Sequence, residues 1–225
     1  MLAFVVAAAL ATPPTVAAPA ECLRPDPAET VVERQVLDRG KAPALQAYAI
    51  SRRDAESPWG YGASRVVIYG ADCAVVYAQR FDDGLETHFA SARLGEQPIL
   101  EITSLIPGGS GFGLEQVLLG YDEDGVFPLA PQRLRYGNMD GFHLGDLGKG
   151  RGEGLMLWEA HWDGAHYDPH RYTVTTWRWR KDHFVGPEVW TTRKHYDPDP
   201  ETVAKALGLP ADQTEAQRFK LYFGE

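Results

Sequence analysis

The stretch from Asp140 to Val185 constrains this chain most. It opens on Asp140-Gly-Phe-His-Leu-Gly-Asp-Leu-Gly-Lys-Gly-Arg-Gly-Glu-Gly154 and runs on as Leu155-Met-Leu-Trp-Glu-Ala-His-Trp162. After a polar loop it returns as Arg171-Tyr-Thr-Val-Thr-Thr-Trp-Arg-Trp-Arg180. An apolar run and a β-branched, aromatic run on either side of a loop form an antiparallel hairpin. In Leu155-Met-Leu-Trp158 residues of both parities are apolar, and the same holds for Val66-Val-Ile-Tyr69, Val75-Val-Tyr77 and Val117-Leu-Leu119. Successive strand side chains point to opposite faces, so such strands need cover on both sides. A two-sheet sandwich leaves its outer faces wet. The expected fold is therefore all-β, with stacked antiparallel sheets and propeller-blade-like repeats.

The rest of the chain agrees with this class. Arg65-Val-Val-Ile-Tyr69 and Cys73-Ala-Val-Val-Tyr77 flank Gly70-Ala71-Asp72, the strongest hairpin signal present. Ala44–Ile50 and Thr87–Leu94 read as strands, whereas Val31, Val32, Val36 and Leu37 fit a short helix or an edge strand equally. Laid against the Asp140–Val185 stretch, Ile99–Ile102 corresponds to Leu155–Trp158, Gln116–Leu119 to Tyr172–Thr175, and Val126-Phe127 to His183-Phe184. An offset of about 56 residues is the kind of period stacked β units show. Near the C-terminus Asp199-Pro200-Glu201 supplies a helix start and Gly208 with Pro210 a stop, and a second helix is expected from Asp212 towards Lys220. The expected organisation is a β-repeat domain over residues 21–198 with a helical segment, 199–225, packed on it.

Residues 1–20 carry no charged side chain, and Leu2–Leu10 is one apolar run, too short to span a bilayer. Small residues follow at Ala17-Ala-Pro-Ala20, the shape of a secretory signal peptide cut after Ala18 or Ala20. Glu21 stands where a lipoprotein anchor at Cys22 would need a small residue. The chain contains 2 cysteines, Cys22 and Cys73. In an oxidising compartment an even count implies a bridge, so a Cys22–Cys73 disulfide and a periplasmic or secreted location are expected together. A net charge of −9 with no long basic run argues against nucleic acid, and no apolar stretch is long enough for a transmembrane helix.

The loop Gly145-Asp-Leu-Gly-Lys-Gly-Arg-Gly-Glu153, followed by a strand, resembles the FG-GAP or VCBS-type repeat, in which a Gly-Asp-Leu-Asp-Gly-Asp-Gly loop precedes an apolar strand. The resemblance covers roughly residues 89–187 and implies a propeller-like scaffold of secreted proteins. In that family aspartates at alternate positions ligate calcium. Asp146 matches the first of them, while Gly148 and Gly150 occupy the next two positions, so no calcium site and no other cofactor is expected.

Possible chemistry concentrates in His161-Trp-Asp-Gly-Ala-His-Tyr-Asp-Pro-His170. No Gly-x-Ser-x-Gly elbow and no cysteine near a histidine is present, and Trp177 with Trp179 on one strand face suits core packing better than carbohydrate stacking. The first functional expectation is an exported, non-catalytic binding protein, an inhibitor-type partner of another extracytoplasmic protein. Its contacts would be Trp162, Tyr167, His161, His166 and His170. The alternative is a metal-dependent hydrolase. There His161, His166 and His170 would hold zinc with Asp163 or Asp168, and Glu159 would be the nearest general base.

Overall fold

The structure, a computed structural model, describes residues 22–53, 62–82, 84–107, 112–130, 134–137, 139–162 and 164–210. The expected signal peptide, Asp163 and the second C-terminal helix lie outside the described residues.

Three antiparallel sheets follow one another along the chain. The first is built from β1 (Glu29–Arg39), β2 (Ala42–Arg53), β3 (Gly62–Tyr69) and β4 (Val75–Phe81), paired in chain order. The second contains β5 (Thr87–Leu94), β6 (Gln97–Pro107), β7 (Phe112–Tyr121) and β8 (Val126–Pro128), again in order. Here β9 (Leu134–Gly137) shares the edge of β7 with β8. The third is β10 (Gly141–Asp146), β11 (Glu153–Ala160), β12 (Tyr172–Arg180) and β13 (His183–Thr191). Strands matched from sequence occupy the same rank in their sheets: Ile99–Ile102 lies on β6 and Leu155–Trp158 on β11, with Gln116–Leu119 on β7 and Tyr172–Thr175 on β12. The ambiguous Val31–Leu37 segment is strand, because β1 zips onto β2 from Glu29↔Arg52 to Arg39↔Ala42.

Of the mixed-parity apolar strands, β3, β7 and β11 are covered on both faces, whereas Val75 and Val76 at the start of the edge strand β4 are exposed, contrary to the expectation. On one side of the second sheet Leu100, Ile102, Val117 and Leu119 pack with Leu45, Ala47, Val66 and Ile68 of the first. On its other side Ile99 and Leu118 pack with Phe142, Leu144, Leu155 and Trp179 of the third. The two outer faces are closed by the ends of the described chain. Leu23 covers Tyr48, Ile50 and Val67 on the first sheet. Helix α1 (Pro200–Leu207) lays Val203, Ala204 and Leu207 on Met156, Trp158, Tyr172 and Val174 of the third. The order is N-terminal lead-in, sheet, sheet, sheet, helix.

The Cys22–Cys73 disulfide fastens that lead-in, with Cα atoms 5.2 Å apart. The strand does not begin at Cys73 as the sequence pattern implied. Cys73 sits in the turn with φ 63°, and β4 starts at Val75. Gly70 N–H donates to the Ala74 carbonyl and the Asp72 carboxylate accepts from Ala74 N–H, so the turn's own hydrogen bonds hold Cys73 off the ladder. Between the first two sheets, Glu33 and Glu86 flank His88 and hold its pKa above the usual value.

Helix α1 follows its sequence signals. The Asp199 carboxylate accepts from Thr202 N–H at 2.8 Å. Gly208 takes the left-handed conformation at φ 80°, and Leu209 N–H returns to the Ala204 carbonyl at 3.0 Å while its side chain joins the core below. This closure ends the helix by satisfying carbonyls that would otherwise lack partners.

Candidate functional site

The hairpin loop joining β11 to β12 carries every residue singled out from the sequence as a contact. Asp168 closes a turn: its carboxylate accepts from Ala165 N–H at 2.8 Å and its N–H donates to the Ala165 carbonyl at 2.9 Å. His170 is fully buried, and its Nδ1 donates to the His161 carbonyl at 2.8 Å. Its backbone forms a two-way bridge with Tyr196 at 2.9 and 2.8 Å, which ties the loop to the segment following β13. His161 is turned the other way, with Nε2 2.7 Å from the Thr173 hydroxyl of β12.

The aromatic members stay outside. Trp162 is 64% exposed and Tyr167 87%. They are not isolated: the Trp162 ring lies 5.6 Å from His166 and 6.1 Å from His170, and His166 meets Tyr167 edge-on at 5.2 Å. The cluster is thus anchored from below by His170, and its outer rings face solvent. Exposed rings restrained in this way offer contact area with less ordering to be lost on binding.

Among the described residues no three histidine, cysteine, aspartate or glutamate side chains are grouped to hold an ion. His161 Nε2 lies against Thr173 Oγ1, and His170 Nδ1 donates to a backbone carbonyl. Asp163 lies outside the described residues, and Glu159 is an exposed residue of β11 opposite Thr173. Trp179 is buried between the second and third sheets with Trp177 packed beside it, so this pair belongs to the core.

The glycine-rich loop turns out to be a docking point for the helix. The Asp146 carboxylate accepts from Gly148 N–H at 2.9 Å, which makes it a turn residue. Gly148 has φ +65°, and a Cβ there would meet the Gly208 carbonyl at 2.0 Å. Only glycine permits that approach of loop backbone to helix end. Arg151 then reaches over, Nη2 donating to the Leu207 carbonyl at 2.8 Å and Nε to the Gly148 carbonyl at 3.2 Å. Lys149, in the left-handed region at φ 51°, lies across Gly208.

This docking opens a concavity that the sequence did not disclose. A groove of about 610 Å³ runs between the glycine-rich loop, the end of α1 and the segment after β13. Among the described residues its lining includes Lys149, Arg151, Trp190, Arg193, Lys194 and Tyr196, and no aspartate or glutamate. Burial holds the Arg151 pKa below its ordinary value, against the pull of Asp146. Thr192, itself buried, sets the far wall: its Oγ1 accepts from Tyr172 N–H at 2.9 Å and donates to the Lys194 carbonyl at 3.0 Å. In sequence these cations fall in two short pairs, Lys149/Arg151 and Arg193/Lys194, separated by three strands. Only the fold joins them. No protein-family model, no curated protein and no solved structure matches this chain.

Proposed function

We propose that this chain is an exported, non-catalytic binding protein that contacts another extracytoplasmic protein, in the manner of an inhibitor-type partner, through the loop at 161–170. The observation that carries the reading is the ring cluster: Trp162 and Tyr167 are large, exposed and held by His166 and His170. Tryptophan and tyrosine dominate the energetics of protein interfaces because they bury much area at little rotamer cost. The disulfide supports an oxidising location, and among the described residues no helix is long and apolar enough to cross a membrane.

We further read the three meanders as blade-like repeats related to the FG-GAP type. Each of the three sheets runs in chain order from its first strand, and the first strands neighbour one another, β1 with β5 and β5 with β10. On this reading the stack is open and capped at its two ends, with the hairpin loop of the last unit as the contact surface.

The test is a capture from native periplasmic extract with the mature protein and with a Trp162→Ala/Tyr167→Ala variant. A partner retained by the first and lost from the second, with thermal unfolding unchanged, is the expected result. Equal retention by both proteins would remove the loop from the account.

A further inference from the structure

We propose that the basic groove beside α1 binds a small ligand bearing a phosphate or sulfate ester on a sugar ring. The inference is independent of whether a protein sits on the loop at 161–170. It starts from charge. The chain carries a net −9, yet among the described residues four cationic side chains and no carboxylate line this one concavity. Like charges converge on a groove at an electrostatic cost that an anion relieves, and a low-dielectric wall focuses the field on it.

Two of the four cations also serve the fold. Arg151 is fixed by the Leu207 and Gly148 carbonyls, and Lys149 lies over Gly208, so both complement the negative end of the helix. Arg193 and Lys194 have no such role. Both are exposed, and no carboxylate of the described residues forms an ion pair with either. Their backbone is nevertheless held in place by the buried Thr192 hydroxyl. A rigid guanidinium on one wall faces, on the other, two cations that form no ion pair among the described residues, with room between them. Guanidinium and ammonium groups placed around a space of this kind suit a multiply charged oxyanion.

The aromatic lining argues for more than an inorganic ion. Trp190 is 37% exposed on the edge strand, and Tyr196 is half-buried beside it. A volume near 610 Å³ exceeds what a bare phosphate fills and lies in the range of small-ligand clefts. An indole face beside cations suits a sugar ring whose ester group reaches Arg193 and Lys194. Thr191 adds an exposed hydroxyl at the rim.

The experiment follows the Trp190 indole N–H by NMR while the mature protein is titrated with glucose 6-phosphate, glucose 6-sulfate, inorganic phosphate and glucose. Saturable shifts are expected with one or both esters, a weaker response with inorganic phosphate, and none with glucose. Which ester binds identifies the anion. Arg193→Ala/Lys194→Ala should weaken ester binding by roughly tenfold or more. Trp190→Ala, followed through the backbone amides of Arg193 and Lys194, should reduce the ester to the level of inorganic phosphate and leave the latter unchanged. Both sets of residues are on the surface, and an unchanged amide spectrum elsewhere shows that each variant folds. No saturable shift with either ester, binding as tight for glucose as for its esters, or ester binding indifferent to loss of both cations would overturn the proposal.

Discussion

Replacing both cysteines, Cys22→Ser with Cys73→Ser, separates two ways in which the N-terminal lead-in stabilises the stack. The bridge closes a loop with a sequence separation of 51. In the chain-entropy model, freeing such a loop in the unfolded state costs about 4 kcal/mol of stability. The lead-in also buries Leu23 against Tyr48, Ile50 and Val67, leaving it only 7% exposed. Truncating that side chain with the bridge intact, Leu23→Ala, should cost about 2–3 kcal/mol. Equilibrium urea unfolding measures both. With a slope of about 2–3 kcal/mol per molar, the double serine variant should lose about 1.3–2 M in its midpoint. Leu23→Ala should lose about half to three quarters as much. If the bridge acted only by holding Leu23 in place, the two variants would lose equal amounts, and combining them would add nothing. A loss below about 1 kcal/mol for the serine variant would refute the loop-closure argument.

Two further outcomes are expected in the third sheet. Gly141 lies across from Trp158, and a Cβ at that position would come within 2.0 Å of the indole, so Gly141→Ala should destabilise by at least about 1–3 kcal/mol in thermal or urea unfolding. Tyr172 is fully buried beneath α1, and its hydroxyl makes no hydrogen bond among the described residues, so Tyr172→Phe should be neutral or slightly stabilising at pH 7. Burial, then Asp140, Asp199 and Asp197, push its pKa from 10.0 up to about 12. The unfolded chain therefore loses this proton first, and the wild type should lose about 2–3 kcal/mol more than the phenylalanine variant between pH 10 and 12.

How much of this was legible in the sequence depended on whether the signal was local. The covered faces of β3, β7 and β11 were readable from apolar residues at both parities, but the same pattern at Val75-Val-Tyr77 misled, because β4 is an edge strand and Val75 and Val76 stay exposed. Helix α1 was readable because Asp199 and Gly208 act within a turn of themselves. β10 was harder to read. Gly141, Gly145 and Asp146 lower its strand propensity, and what makes it a strand is distant: Phe142 and Leu144 enter the core between the second and third sheets, and Trp158 covers Gly141. The glycine-rich loop was legible as special but not for its role. Gly148 is needed for close approach to Gly208, a residue far along the chain. The basic groove had no local signature, since each pair of cations is an ordinary surface dipeptide or tripeptide until α1 and the end of β13 are brought together. The ring cluster was half legible: the residue types stood out, whereas the inward turn of His170 depends on its bridge to Tyr196.

The central claim is that the exposed rings at 161–170 meet a protein partner outside the cytoplasm. Site-specific photocrosslinking in cells tests it most directly, with the photoreactive amino acid p-benzoylphenylalanine placed at Tyr167 and, as a control, at Val36, which is 51% exposed on the first sheet. The account predicts a discrete adduct from position 167, in the periplasmic fraction, and none from position 36. Adducts of the same kind from both positions, or none from position 167 in protein that is exported and folded, would contradict it.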